Sequence, residues 1–145
     1  MHLHFAVCLP REAETVALVR TVLTNAFTLL GVAEDCVEDV HLAVSEACTN
    51  VIAHADRDDQ YEVEVQVDEH VCTVNVSDRG NGFDSAKLSG TMPDPLSSGG
   101  RGVAIMKALM DSVNMTSSPG AGTRVRLSRT LTLHDDGALS QLGAR

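Results

Sequence analysis

Glu46 and Asn50 stand four residues apart in Val44-Ser45-Glu46-Ala47-Cys48-Thr49-Asn50-Val51, so on a helix they project from the same side. A carboxylate one turn before an amide can take a proton from a hydroxyl or a water while the amide oxygen holds Mg2+, the division of labour that phosphoryl transfer needs. Asp78-Arg79-Gly80-Asn81-Gly82-Phe83 follows an apolar strand pattern. Gly80 and Gly82 let the backbone take positive φ and approach a ligand closely, and Asp78 can accept a hydrogen bond from an exocyclic amine such as that of adenine. In Ser97-Ser98-Gly99-Gly100-Arg101-Gly102-Val103 a glycine-serine loop opens into a helix. The unpaired N–H groups and the dipole of that helix favour an anion, and with Gly100, Arg101 and Gly102 at its mouth a triphosphate fits. Gly120-Ala121-Gly122-Thr123 adds a fourth, weaker element in which Thr123 follows a glycine turn.

Each stretch also has a plainer reading. Glu46 and Asn50 can be an exposed helix-favouring carboxylate and an amide near a helix end. The Asp78 motif can be a tight turn, the glycines before Val103 a flexible linker, and Gly120 to Thr123 a hairpin. His54 continues the Glu46/Asn50 row and reads as a cap or packed residue at the helix C-terminus rather than as a metal ligand.

The elements that must position these residues follow from periodicity. His2 to Leu9 alternates as a short strand, and Pro10 opens a helix to Leu30 whose buried face is Val16, Val19, Leu23, Ala26, Phe27 and Leu30, stopped by Gly31. A second helix starts near Ala33 to Asp35 and buries Val37, Val40, Val44, Cys48, Val51 and Ala55, with Glu46 and Asn50 off that stripe. Tyr61 to Val67 and Val71 to Val76 read as a hairpin around Asp68-Glu69-His70. Asp84 to Gly100 reads as a long loop. A helix carrying Val103, Met106, Leu109 and Met110 follows, then strands from Ser112 to Thr116 and from Thr123 to Leu131 joined at Pro119 to Gly122. Strands grouped in hairpins predict an α+β fold, a two-layer α/β sandwich with a mixed, mostly antiparallel sheet and helices on one face. Residues 1–131 form one domain and 132–145 a tail.

Composition narrows the partners. A formal net charge of -9 disfavours nucleic acid, so a polyanionic nucleotide must be held locally by N–H groups, a few bases and a metal. Cys8, Cys36, Cys48 and Cys72 lack metal or disulfide spacing, which fits a reduced, cytoplasmic protein. No apolar run is long enough to span a membrane and no signal-peptide pattern opens the chain. Aromatic residues are 3% of the chain, too few for stacking platforms.

The order of the motifs, Glu-x3-Asn on a helix, D-x-G-x-G after a strand and G-x-G opening a helix, resembles the N, G1 and G2 boxes of the GHKL ATPase superfamily. Val44 to His54, Val103-Ala104-Ile105-Met106 leading to Met110-Asp111-Ser112-Val113, the opening Met1 to Phe5, and Ser117-Ser118-Pro119 before Gly122-Thr123 are similar to the RsbW-like and SpoIIAB-like anti-sigma factor serine kinases. The resemblance spans about residues 1–131. It implies a Bergerat-type ATP site in which Asn50 ligates Mg2+, Glu46 is the general base, Asp78 binds the adenine amine, and Gly80, Gly82, Gly100 and Gly102 shape the pocket. It further implies a dimeric anti-sigma factor that sequesters a sigma factor, with a contact by Arg20, and phosphorylates an anti-anti-sigma protein of the STAS fold on serine or threonine. The loop from Asp84 to Gly100 departs from the family pattern, which often has a basic residue shortly before the G2 glycines to meet the γ-phosphate: between Lys87 and Gly99 the only charge is Asp94, which leaves Arg101 or Lys87 for that role. The alternative is therefore a nucleotide-sensing, partner-binding module without phosphate transfer.

Overall fold

The computed structural model describes residues 2–54, 60–78, 101–118 and 122–134. Ala55, the segment Arg79 to Gly100, with Gly80, Gly82 and Gly100 and the expected long loop, the Pro119 to Ala121 turn and residues 135–145 lie outside the described residues. Alternating apolar and polar side chains build five strands: β1 (His2–Pro10), β2 (Gln60–Asp68), β3 (Val71–Asp78), β4 (Ser112–Ser118) and β5 (Gly122–Thr130). They form one sheet in the order β1-β2-β3-β5-β4, and each pairing among them is antiparallel. β5 enters between β3 and β4, so the sheet is not a simple meander.

The period of two puts Tyr61, Val63, Val65 and Val67 of β2, Cys72, Val74 and Val76 of β3, and Val125 and Leu127 of β5 on one buried face. Glu62, Glu64, Asn75, Arg124 and Arg126 turn to the other, wetter face. Among the described residues, the helices α1 (Thr15–Leu30), α2 (Glu34–His54) and α3 (Arg101–Leu109) share the core with the apolar face. Each fully buried valine or leucine there contributes about 1.5–3 kcal/mol of transfer free energy. This is the two-layer α+β arrangement that the grouping of strands predicts.

Two local expectations need correcting. Pro10 does not open α1; it is the last residue of β1, opposite Gln60, and α1 begins at Thr15. β1 is an edge strand, where a proline forfeits no ladder bond, so extended backbone persists through Pro10. The start of α1 is instead set by Thr15, whose Oγ1 lies 2.6 Å from the Glu12 carbonyl and 2.7 Å from the Tyr61 hydroxyl. The stripe on α2 is also broader than Val37, Val40, Val44, Cys48 and Val51 alone. Cys36, Ala43, Ala47 and Asn50 are buried as well, because α2 is covered by the sheet on one side and by α3 on another.

The α1–α2 connection is tied to the chain beyond β5. Gly31 takes φ 75°, the left-handed conformation that ends α1. Its carbonyl accepts from the His134 N–H at 2.6 Å, and the Ala33 N–H donates to the Thr132 carbonyl at 2.8 Å. The β2–β3 hairpin closes with Asp68 opposite Val71, and Glu69 takes φ 57° in the two-residue turn.

Candidate nucleotide site

The second half of α2 and the first turn of α3 meet at a glycine. A Cβ added to Gly102 would lie 3.1 Å from Glu46 Oε2 and 3.6 Å from Asn50 Nδ2, so the α3 backbone touches both side chains that the helical spacing aligned. A methyl at Gly102 would press on the Glu46 carboxylate, which would have to give by a few tenths of an ångström. Glu46 is half-buried, whereas Asn50 is 9% exposed and Arg101, at the head of α3, is exposed. Placing Asn50 off the buried stripe is therefore wrong: packing of α3 on α2 encloses it.

The amide nitrogen of Asn50 has no hydrogen-bond partner among the described residues, nor has the Ser45 hydroxyl. Buried polar groups are nearly always paired, and leaving one unpaired costs about 1–3 kcal/mol. An orphaned amide beside a carboxylate, at the N-terminal end of a helix, fits a ligand atom supplied from outside the chain. A half-turn of the amide presents oxygen instead of nitrogen, so a cation fits as well as an acceptor. Among the described residues no group of three or more His, Cys, Asp or Glu side chains converges.

The second cluster forms where β3 ends beside the start of β5. Asp78 is 4% exposed, and its Oδ2 accepts a hydrogen bond from the Thr123 N–H at 3.1 Å. Gly122 takes φ 79°, and a Cβ there would come within 2.9 Å of the Asp78 carbonyl oxygen and 3.4 Å of both carboxylate oxygens. Only glycine suits this position, on both conformational and steric grounds. Thr123 contributes through its backbone, orienting Asp78. The weaker fourth element of the sequence, Gly122-Thr123, thus stands directly against Asp78.

The clusters share one end of the fold. Cys48, two residues before Asn50 on α2, is within hydrogen-bonding reach of Tyr61, and Tyr61 pairs with Asp78 across β2 and β3. Burial pushes the Cys48 thiol up to about 12 and the Tyr61 hydroxyl up to about 12. Both stay neutral near pH 7 and serve as a packed polar floor, not as nucleophiles. A groove of about 300 Å³ lined by His2, Gln66, Asp68, Val71 and Thr73 lies at another part of the sheet, away from these residues.

Residues 9–129 match the family described as the histidine kinase-like ATPase domain. The serine-protein kinase RsbW of Bacillus velezensis is 37% identical over 123 residues, covering 77% of each chain. RsbW of Bacillus subtilis is 34% identical over 122 residues, 77% of this chain and 76% of that one, and RsbW of Staphylococcus aureus 31% over 123 residues, 77% of each. Among solved structures, that of the RsbU and RsbW domains of Rv1364c from Mycobacterium tuberculosis superposes with a TM-score of 0.69 at 18% identity. It covers 89% of this chain, which spans 32% of that longer one. The histidine kinase domain of the blue-light activated kinase of Erythrobacter litoralis gives 0.53 at 21% identity, over 85% of this chain and 62% of that one, a likeness of fold.

Proposed function

The chain belongs to the histidine kinase-like ATPase family, in its branch of RsbW serine-protein kinases, and from that premise we propose that it binds ATP between α2, the head of α3 and Asp78 and transfers the terminal phosphoryl group to a serine or threonine of a partner protein. The observation that carries the reading is the orphaned, buried Asn50 amide standing with Glu46 against Gly102.

Each residue then has a task. Asp78, held by the Thr123 N–H, accepts from the adenine amine, so the base is read by a carboxylate that does not have to be ordered on binding. The N–H groups at the head of α3, around Arg101 and Gly102, face the phosphates; Gly80, Gly82 and Gly100, which the resemblance assigns to the pocket, lie outside the described residues. Asn50 holds Mg2+ through its amide oxygen, and Mg2+ when bound neutralises phosphate charge. Glu46 Oε2 accepts the proton of the acceptor hydroxyl as its oxygen bonds to the γ-phosphorus and the bond from that phosphorus to the bridging oxygen breaks, with ADP leaving.

The partners follow from the branch. The protein acts as an anti-sigma factor, holding a sigma factor and phosphorylating an anti-anti-sigma protein of the STAS fold, as a homodimer in the cytoplasm. Among the described residues no helix is long and apolar enough to cross a membrane. Arg20, exposed on α1, is the partner contact in this reading. Calorimetry with MgATP tests the site: wild type binds, and Asn50→Ala loses Mg2+-dependent affinity by at least about tenfold. Unchanged affinity in Asn50→Ala removes Asn50 from the site.

A further inference from the structure

Arg129 stands on β5, and its guanidinium joins the two helices that carry Glu46, Asn50 and Gly102. Nη1 donates to Asp39 Oδ2 of α2 at 2.8 Å and to the carbonyl of Leu109, the last residue of α3. Nη2 donates to the Cys36 sulfur at 3.7 Å and Nε to the Thr130 carbonyl at 3.2 Å. The side chain is 19% exposed, and the hydrogen bond to Asp39 raises its pKa further. A planar fork with fixed charge suits this position, because a helix C-terminus carries partial negative charge and Asp39 a full one.

α3 packs along α2, with Val103 partly buried against the core. Met106 is its one fully buried side chain, with Met110 just beyond the helix end. Below Leu109 the Asp111 N–H donates to the Ser128 carbonyl at 2.8 Å and Asp111 Oδ2 accepts from the Thr130 N–H at 2.7 Å, which fixes the end of α3 to β5 but not to α2. Arg129 adds a charged, hydrogen-bonded link from this end to Asp39 of α2. Gly102 lies seven residues away, about 10 Å at the helical rise, so a tilt of about 5° about that end moves Gly102 by roughly 1 Å. Misplacement on that scale costs up to about a hundredfold in rate at a reacting centre.

We propose that Arg129 is a positioning residue: by clamping the C-terminal end of α3 to Asp39, it sets the gap between Gly102 and the side chains of Glu46 and Asn50. The proposal rests on the nucleotide reading above. Its test is calorimetric affinity for MgATP in the full chain for wild type, Arg129→Met, Arg129→Lys, and Val65→Ala as a core control that lowers stability without touching α3. Arg129→Met raises Kd about tenfold, Arg129→Lys, which keeps the charge but not the fork, raises it about threefold, and Val65→Ala leaves it within twofold at comparable loss of Tm. Hydrogen exchange without nucleotide shows α3 amides exchanging faster in Arg129→Lys while β2 and β3 stay at the wild-type rate. Kd unchanged in Arg129→Lys, or a rise in Val65→Ala that matches it, overturns the proposal; if Arg129→Met does not fold, the lysine variant and the exchange data decide. A wild-type protein that binds no MgATP overturns the nucleotide reading and this proposal with it, whereas wild-type binding with unaltered Arg129 variants overturns the proposal alone.

Discussion

Replacing Gly102 with alanine adds one methyl group at the point where α3 meets the candidate site. The methyl would stand 3.1 Å from Glu46 Oε2 and 3.8 Å from Glu46 Cδ, closer than ordinary van der Waals contact for the first and normal for the second. The Glu46 carboxylate is the far end of a flexible side chain, so it yields by a few tenths of an ångström at a cost of about 0.5 kcal/mol. Alanine in place of glycine near a helix end returns about 0.5 kcal/mol. The two terms cancel, and the ligand-free Tm shifts by less than about 2 °C. Nucleotide affinity responds differently: the methyl and the displaced carboxylate narrow the space beside Asn50, where overpacking costs about 1–3 kcal/mol, so Kd for MgATP rises by about tenfold or more. Thermal melts with and without nucleotide, followed by calorimetry, read both quantities on one sample. Unaltered Kd at unaltered Tm would refute the placement of phosphate beside Gly102. A fall in ligand-free Tm of more than about 5 °C would refute the claim that Glu46 can give way.

Gly122→Ala is a contrasting case, since φ 79° and a methyl 2.9 Å from the Asp78 carbonyl oxygen allow no cheap adjustment; urea unfolding reports a loss of at least about 2 kcal/mol. Stability also depends on alkaline pH. Burial raises Cys48 and Cys72 from an ordinary 9.0 to about 12, so the unfolded chain releases those protons first. Their contribution is fully present below about pH 9 and is lost progressively as pH rises towards 12; the urea midpoint falls over that window, and Cys72→Ala makes the fall shallower. A midpoint that holds constant from pH 8 to 11 contradicts the burial argument. Alkylation of the native protein at pH 8 modifies exposed Cys8 and spares Cys48, as peptide mass spectrometry shows.

Local pattern and long-range packing divide what the sequence reveals. The β2–β3 hairpin, the acids Glu34 and Asp35 at the head of α2, and the pairing of Glu46 with Asn50 are all written within a few residues, and each is legible from local spacing alone. The end of β1 is not, because whether Pro10 opens a helix or closes an edge strand depends on Gln60, its distant partner. Asn50 looks exposed from its helix alone and is buried by α3, which arrives about a third of the chain later. The fixing of Asp78 by Gly122 and Thr123, and the grip of Arg129 on Asp39 and Leu109, likewise join residues far apart in sequence. Chemistry-bearing residues are therefore visible in the chain, while the residues that hold them in place are visible only in three dimensions.

The central claim is that Glu46 and Asn50, gathered against the head of α3, form the working part of a serine kinase. Incubating the protein with γ-labelled MgATP and a STAS-fold antagonist, and mapping the label by mass spectrometry, tests it most directly. Wild type places one phosphate on a serine or threonine of the antagonist, and Glu46→Gln slows transfer by at least about a hundredfold while MgATP affinity stays within a few fold. Transfer undiminished in Glu46→Gln, or an antagonist that stays unmodified with wild-type protein saturated with MgATP, would contradict the account.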